Sequence, residues 1–253
     1  MTRVIKIGGR VQSDPGLPGQ IATAARAAGD GLVVVHGGGD EVSALQRSLG
    51  NEPQFVGGRR VTTHEDMHVV RMVLSGSINK RLVRQFLDAG VPAVGISGED
   101  GGILPALLLD GGALGAVGEP LAANAGALRA LLGAGFVPVV SPLGRHAETG
   151  EGLNINGDDA AAAIAAALGA DELLLVADVP GVLDADGTPL GHIDTDSVDH
   201  FIRSGTARGG MSAKLQAARR ALTGGVASVR IGDATAISDP QAGTHIGLAP
   251  SPA

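Results

Sequence analysis

Hydrophobic positions along the chain gather into short blocks separated by longer stretches of mixed character. Five blocks have strand length and are rich in Val, Ile or Leu. They are residues 31–35 (GLVVV), 92–96 (PAVGI), 136–140 (FVPVV), 172–176 (ELLLV) and 227–231 (ASVRI). Residues 1–7 (MTRVIKI) add a sixth. Continuous apolar runs of this length suit parallel strands covered on both faces. The stretches 20–28, 40–49, 64–89, 122–132, 158–168 and 213–222 read as helices. Strands alternating with helices predict an α/β fold, a three-layer sandwich around a mostly parallel central sheet. Two Gly-rich segments, 53–62 and 102–117, break the alternation and read as β-hairpins inserted near strand ends. Ligands of such sheets bind beyond the carboxyl ends of the strands. The Gly/Pro-rich tail from Pro240 is expected to close with a short edge segment. There is no internal repeat.

Composition narrows the classes of function. The chain has 253 residues, a net charge of -7, and no Cys, Trp or Tyr. Without Cys there is no disulfide framework and no Cys-ligated metal site. An acidic chain with no basic tract and few aromatic residues is a poor nucleic-acid binder. A hydrophobic share of 44% is enough for a core. The 41 glycines follow no G-X-Y period, which excludes collagen. The Ala-rich stretch 160–168 falls short of the roughly 18–20 apolar residues of a membrane span. The first strand runs into glycines too early for a signal peptide. The expectation is a soluble cytoplasmic protein with no membrane or nucleic-acid partner. The seven His residues have no metal-ligand spacing, so no metal site is assigned; His36 is read as packing at a strand end.

Of 19 basic residues only Lys6, Lys80 and Lys214 are Lys. Arg is a rigid planar fork and Lys a compact point charge, so the retained lysines mark candidate sites. Three glycine clusters stand at strand-to-helix junctions: Gly8-Gly9, Gly37-Gly38-Gly39 after His36, and Gly209-Gly210. Glycine allows close backbone approach, and a helix N-terminus offers free N–H groups to an anion. Any single pair also serves as a plain tight turn. Neither the G-x-G-x-x-G fingerprint nor the G-x-x-x-x-G-K-[ST] loop is present, which disfavours a dinucleotide-binding oxidoreductase or a P-loop enzyme. Lys6 precedes the first cluster by two residues and Lys214 follows the last by four, so both point at what the loops hold. Phosphoryl transfer needs such cations to follow the charge that spreads over the transferring group. Lys80 has no comparable setting.

Asn154 and Asn156 alternate, so their side chains can face the same way. Asp158 or Asp159 either caps the following helix or orients the lysines between two anionic reactants. In the first hairpin, Arg59-Arg60 is either a solvated charge pair or a bidentate clamp for a carboxylate.

Taken in order, these motifs resemble the amino acid kinase family. The likeness runs through Lys6-Ile7-Gly8-Gly9, His36-Gly37-Gly38-Gly39, Gly58-Arg59-Arg60-Val61-Thr62, Asn79-Lys80, Ser97-Gly98-Glu99-Asp100-Gly101-Gly102, Leu114-Gly115-Ala116-Val117-Gly118, Asn154-Ile155-Asn156-Gly157-Asp158, Asp178-Val179-Pro180-Gly181-Val182-Leu183 and Gly210-Met211-Ser212-Ala213-Lys214. The resemblance implies transfer of the ATP γ-phosphoryl group to the side-chain carboxylate of N-acetyl-L-glutamate, a step of arginine biosynthesis. It implies that Lys6 and Lys214 stabilise the transition state and that Asp158 organises them. Gly38, Gly39, Arg60, Asn154 and Asn156 would contact the acceptor, with Arg60 on its α-carboxylate. Gly8, Gly9 and Gly210 would donate to phosphate. Asp178, Val179, Pro180, Gly181, Val182 and Leu183, with Thr206, Ala207, Arg208 and Gly209, would form the nucleotide pocket. Mg2+ would ride on the ATP phosphates.

By the same likeness, residues 1–169 would bind the acceptor and dimerise, through 64–89, and residues 170–253 would bind ATP. Arginine-inhibited members carry an extra N-terminal helix that joins dimers into a hexamer, so a homodimer insensitive to arginine is expected. Two positions depart from the family pattern: Ala177, where Ser or Thr is frequent, and Gly157, where Ala is frequent and the change is read as sterically harmless. The alternatives are a kinase of the same fold acting on a carrier-protein-linked aminoadipate or glutamate, and a non-catalytic amino-acid sensor.

Overall fold

The computed structural model of the chain describes residues 1–248. The last part of the segment 170–253, residues 249–253, lies outside the described residues. Along the chain run β1 (Arg3–Ile7), α1 (Leu17–Ala28), β2 (Leu32–His36), α2 (Gly39–Ser48), β3 (Phe55–Val56), β4 (Arg59–Arg60) and α3 (His64–Arg71). A π-helical stretch, Met72–Ile78, leads directly into α4 (Asn79–Asp88) and β5 (Ala93–Ser97). Then come β6 (Pro105–Leu108), β7 (Val117–Pro120), α5 (Gly126–Gly133), β8 (Val137–Ser141), β9 (Leu143–His146), β10 (Gly152–Ile155) and α6 (Gly157–Leu168). The remainder holds β11 (Glu172–Val176), β12 (His192–Asp194), α7 (Val198–Arg203), α8 (Gly210–Thr223), β13 (Val229–Gly232) and β14 (Thr244–Gly247).

Eight strands form one sheet in the order β12-β14-β13-β11-β1-β2-β8-β5. The block from β13 to β5 is parallel throughout. Every residue of β1, β2, β8 and β11 is buried, as continuous apolar runs require when helices cover both faces. β14 runs antiparallel to β13 and parallel to β12. The tail therefore supplies an interior strand, and β12 takes the edge; the expected edge segment is displaced by three residues, His192–Asp194, that no apolar run announces.

Near the carboxyl end of the sheet, β6, β7, β9 and β10 close into a small barrel. The second expected hairpin is there as the antiparallel pair β6–β7, but it is half of a larger unit. The helix expected at 122–132 starts later, at Gly126, because Leu121 and Asn124 bond back to Pro105 and Ile103 through their N–H groups (2.8 and 2.9 Å). The helix expected over 64–89 is continuous but carries the π-helical stretch.

Asn79 and Lys80 tie this helix to the sheet. Asn79 is fully buried, and its Nδ2 donates to the Val139 carbonyl (2.8 Å). Lys80 Nζ donates to the Gly95 carbonyl (2.9 Å) and to Asn79 Oδ1 (3.0 Å). A Cβ on Gly95 would stand 1.9 Å from Asn79 Oδ1. The pair is thus a packing joint between this helix and the sheet. Among the described residues no helix is long and apolar enough to cross a membrane.

Candidate active site

β1, β2 and β11 end side by side, and each delivers a loop to the same place. The Gly37-Gly38-Gly39 loop is held through the Gly37 carbonyl, which accepts from Gln12 Nε2 (2.9 Å) and from His36 Nδ1 (3.0 Å). His36 is fully buried, and burial lowers its pKa to about 4. The neutral ring donates from Nδ1 and accepts at Nε2 from Asn79 Nδ2 (3.2 Å). Gly38 lies hard against the helix behind it: a Cβ there would meet Ile78 Cδ1 at 2.0 Å. A side chain there would have to push Ile78 Cδ1 and Leu74 aside.

The centre of the site is a buried charge cluster. Lys6 Nζ lies 2.8 Å from Asp158 Oδ1. Lys214 Nζ donates to both Asp158 oxygens, at 3.0 and 3.2 Å. Burial alone would raise the Asp158 carboxyl pKa, but Lys6 and Lys214 overcome it and hold it at about 2. Burial, reinforced by Lys6, lowers Lys214 to about 8 against the pull of Asp158. With both lysines charged the trio carries one surplus positive charge, shielded from water. Such a charge interacts strongly with an arriving anion.

Asn156 settles how α6 begins. Its side-chain oxygen accepts from the N–H groups of Asp158 (2.8 Å) and Asp159 (3.3 Å). The cap is therefore Asn156, and neither Asp caps the helix. Asp158 is left free to face the lysines. Asp159, 3% exposed, turns elsewhere and binds Arg59 Nη2 (3.0 Å) and Arg220. Gly157 is less neutral than expected: a Cβ there would stand 3.1 Å from Lys6 Cε, so Ala would press on the lysine stem.

Two cavities flank the cluster. The first, about 260 Å³, is lined by Lys6, by Gly38 and Gly39, and by Arg60, Asn154 and Asn156. Arg60 is buried; its Nη2 donates to the Gly39 carbonyl (2.7 Å) and Ser43 Oγ (2.8 Å), its Nη1 to Gln46 Oε1, and its guanidinium lies 4.8 Å from the centre of the Phe55 ring. Three of its five N–H groups are thus engaged, leaving two for a ligand. Asn154 Nδ2 donates to Thr62 Oγ1 (3.0 Å), which fixes the hairpin to β10. Arg59 also lines this cavity; its Nη1 is shielded from solvent and has no partner.

The second cavity, about 680 Å³, is lined by Lys214, Gly8, Gly9, Asp178, Val179, Leu183, Thr206, Arg208 and Gly210. Five residues expected there do not reach its wall. Gly181 and Val182 turn inward against Thr244, whose Oγ1 accepts from the Val182 N–H (2.8 Å). Ala207 is buried in the core, Gly209 forms the turn before α8, and Pro180 points to solvent. Arg10 and Met211 also line the cavity, although neither is among the pocket residues the resemblance implies; each directly neighbours one that is. Gly9 and Gly39 belong to both cavities.

Among the described residues no group of three or more His, Asp or Glu could hold a metal ion. Asp158, the carboxylate between the cavities, has both oxygens engaged by ammonium groups.

Comparison with known proteins places this geometry. Residues 1–233 match the model of the amino acid kinase family. Acetylglutamate kinase of Geobacillus thermodenitrificans is 45% identical over 232 residues, 91% of this chain and 89% of that protein. Acetylglutamate kinase of Paracoccus denitrificans is 44% identical over 233 residues, 91% of this chain and 76% of that protein. The crystal structure of smu.665 from Streptococcus mutans superposes with a TM-score of 0.88 at 31% identity, covering 98% of this chain and 99% of that one.

Proposed function

The chain belongs to the amino acid kinase family, and we propose that it transfers the γ-phosphoryl group of ATP to the side-chain carboxylate of N-acetyl-L-glutamate. One observation carries this reading: the Lys6–Asp158–Lys214 cluster stands between two cavities, with Lys6 on one wall and Lys214 on the other. A carboxylate oxygen of the acceptor attacks the γ-phosphorus, the bond to the β-phosphate oxygen breaks, and ADP departs. No proton needs to move, so the site needs cations and alignment and no general base. Lys6 and Lys214 follow the negative charge on the transferring group, and Asp158 keeps the two ammonium groups apart and aimed.

The smaller cavity takes the acceptor. Arg60 and Asn154 hold its α-carboxylate end, and Gly38 and Gly39 offer backbone donors. Asn156 acts there chiefly as the cap that fixes α6. The larger cavity takes ATP, with Gly8, Gly9 and Gly210 toward the phosphates. Mg2+, held by the phosphates, would neutralise part of their charge. The named lining of the smaller cavity falls within residues 1–169, and the larger cavity draws on both halves. This supports acceptor binding by the first half and nucleotide binding chiefly by residues 170–248. We assign the molecule to the cytoplasm, where ATP and amino-acid precursors are available, and as a homodimer through the α3–α4 run.

The test is an ADP-release assay with N-acetylglutamate, N-acetylaspartate, glutamate, aspartate and UMP as acceptors. Turnover led by N-acetylglutamate is expected. No turnover with any of them, together with tight amino-acid binding, would replace the kinase by a sensor.

A further inference from the structure

Asp158 and Asp159 are consecutive, and each sits between two cations. Asp158 faces Lys6 and Lys214; Asp159 faces Arg59 and Arg220. The proposed reaction uses the first group and assigns the second no task. Asp159 is buried, and each of its oxygens serves one partner: Oδ2 accepts from Arg59 Nη2 (3.0 Å) and Oδ1 from Arg220 Nη2. The partners come from different halves of the chain. Arg59 stands on β4 and lines the smaller cavity. Arg220 stands on α8, beyond Lys214, and lines neither that cavity nor the larger one. α8 is thus pinned to the start of α6 twice, by Lys214 on Asp158 and by Arg220 on Asp159.

The β3–β4 hairpin depends on such attachments. Its two strands pair only with each other, and Phe55 and Val56 on β3 are exposed. Successive residues of a strand point to opposite sides. Arg60 accordingly fastens the hairpin to α2, through Gly39, Ser43 and Gln46, and Arg59 fastens it to α6 through Asp159. A shift of the hairpin therefore pulls on one oxygen of a carboxylate whose other oxygen holds α8. Ion pairs on a buried carboxylate are screened little by salt, so the two links act as one. We propose that Asp159 is a positioning residue: it joins the wall of the acceptor cavity to the helix that carries Lys214, so that an acceptor that orders the hairpin also sets α8 for ATP. The two substrates then reinforce each other's binding, because coupling between sites is reciprocal. This inference rests on the reading of the site as an acylglutamate kinase.

The experiment measures, by calorimetry, binding of a non-hydrolysable ATP analogue with and without saturating N-acetylglutamate. In the wild-type chain the analogue should bind roughly 5- to 20-fold more tightly when the acceptor is present, within the usual span of coupling between sites. Arg220→Gln cuts the tie at a half-exposed position outside both cavities and leaves Asp159 paired with Arg59. Its ratio should fall to within about two-fold. Asp159→Asn/Arg220→Gln leaves Arg59 as the one charge of the group, the same net charge as in the wild-type chain, with the tie still broken. Its ratio should fall equally. A merely structural role would lower thermal stability and leave the ratio where it was. A wild-type ratio near one, or Arg220→Gln keeping the wild-type ratio, overturns the inference. So does a double variant that regains the wild-type ratio, which would assign the coupling to net charge alone. A wild-type chain that neither binds nor phosphorylates N-acetylglutamate would instead take down the kinase reading and this inference with it.

Discussion

Lys214 carries two demands at once. In the proposed reaction it must stay charged to follow the transferring phosphoryl group, yet burial and Lys6 bring its pKa to about 8 from an ordinary 10.5. The sign of the pH dependence follows. Charge on Lys214 is lost as pH rises through about 8, so turnover by the free enzyme should fall on that side. Folding responds oppositely: between about 8 and 10.5 the unfolded chain binds more protons than the folded one, so this group makes stability rise with pH. An alkaline loss of activity without loss of the folded signal is therefore expected. Lys214→Arg should keep the charge, remove the alkaline limb and lose most turnover, because a planar fork cannot occupy the place of a point charge beside Asp158. Rates against pH, read beside circular dichroism, check both statements; near-normal kcat in Lys214→Arg would reject the role.

At the scale of elements, α6 shows how a helix start serves chemistry. Its Ala-rich body is strongly helix-forming, but its register at the site is set by the Asn156 cap. Asn156→Ala should cost about 1 kcal/mol of stability in urea unfolding. It should also lower turnover, since the capped N–H is that of Asp158. A variant with unchanged stability and rate would deny the cap its importance. The same element shows what was legible in the chain. β1, β2, β8 and β11 could be read because burial on both faces leaves an unbroken apolar run. β9 and β10 could not: only parts of Leu143–His146 and Gly152–Ile155 are buried, and their short strands resemble loop. The cluster of Lys6, Asp158 and Lys214 could be suspected because glycine loops flank both lysines. Which neighbour does what came from the family resemblance and not from the spacing. Asn156 against Asp158, and Arg59 against Arg60, differ only in the direction of a side chain, and sequence spacing does not give that direction. For the same reason residues 178–183 read as one block, while the fold sends Gly181 and Val182 inward.

The whole molecule has one continuous sheet across both halves: β1 pairs with β2 on one side and β11 on the other. The halves therefore do not separate as independent bodies along the sheet. Assembly between copies is a different matter. Met72 and Leu87 on the α3–α4 run are 54% and 52% exposed, apolar surface that a second copy would cover. Light scattering should give twice the chain mass of 25.1 kDa. A monomer, or a hexamer that millimolar arginine inhibits, would overturn the homodimer.

The meeting of residues 6, 158 and 214 has a consequence for how the molecule comes into being. A ribosome delivers Lys6 first and Lys214 last of the three. Until α8 has emerged and docked, Asp158 faces a single ammonium group, and the pair is electrically neutral. The surplus positive charge arrives only with α8, before β13 and β14 complete the sheet. A nascent chain thus carries every residue that lines the smaller cavity before it carries Lys214. Recovery of turnover during refolding accordingly reports completion of the whole fold, not of either half.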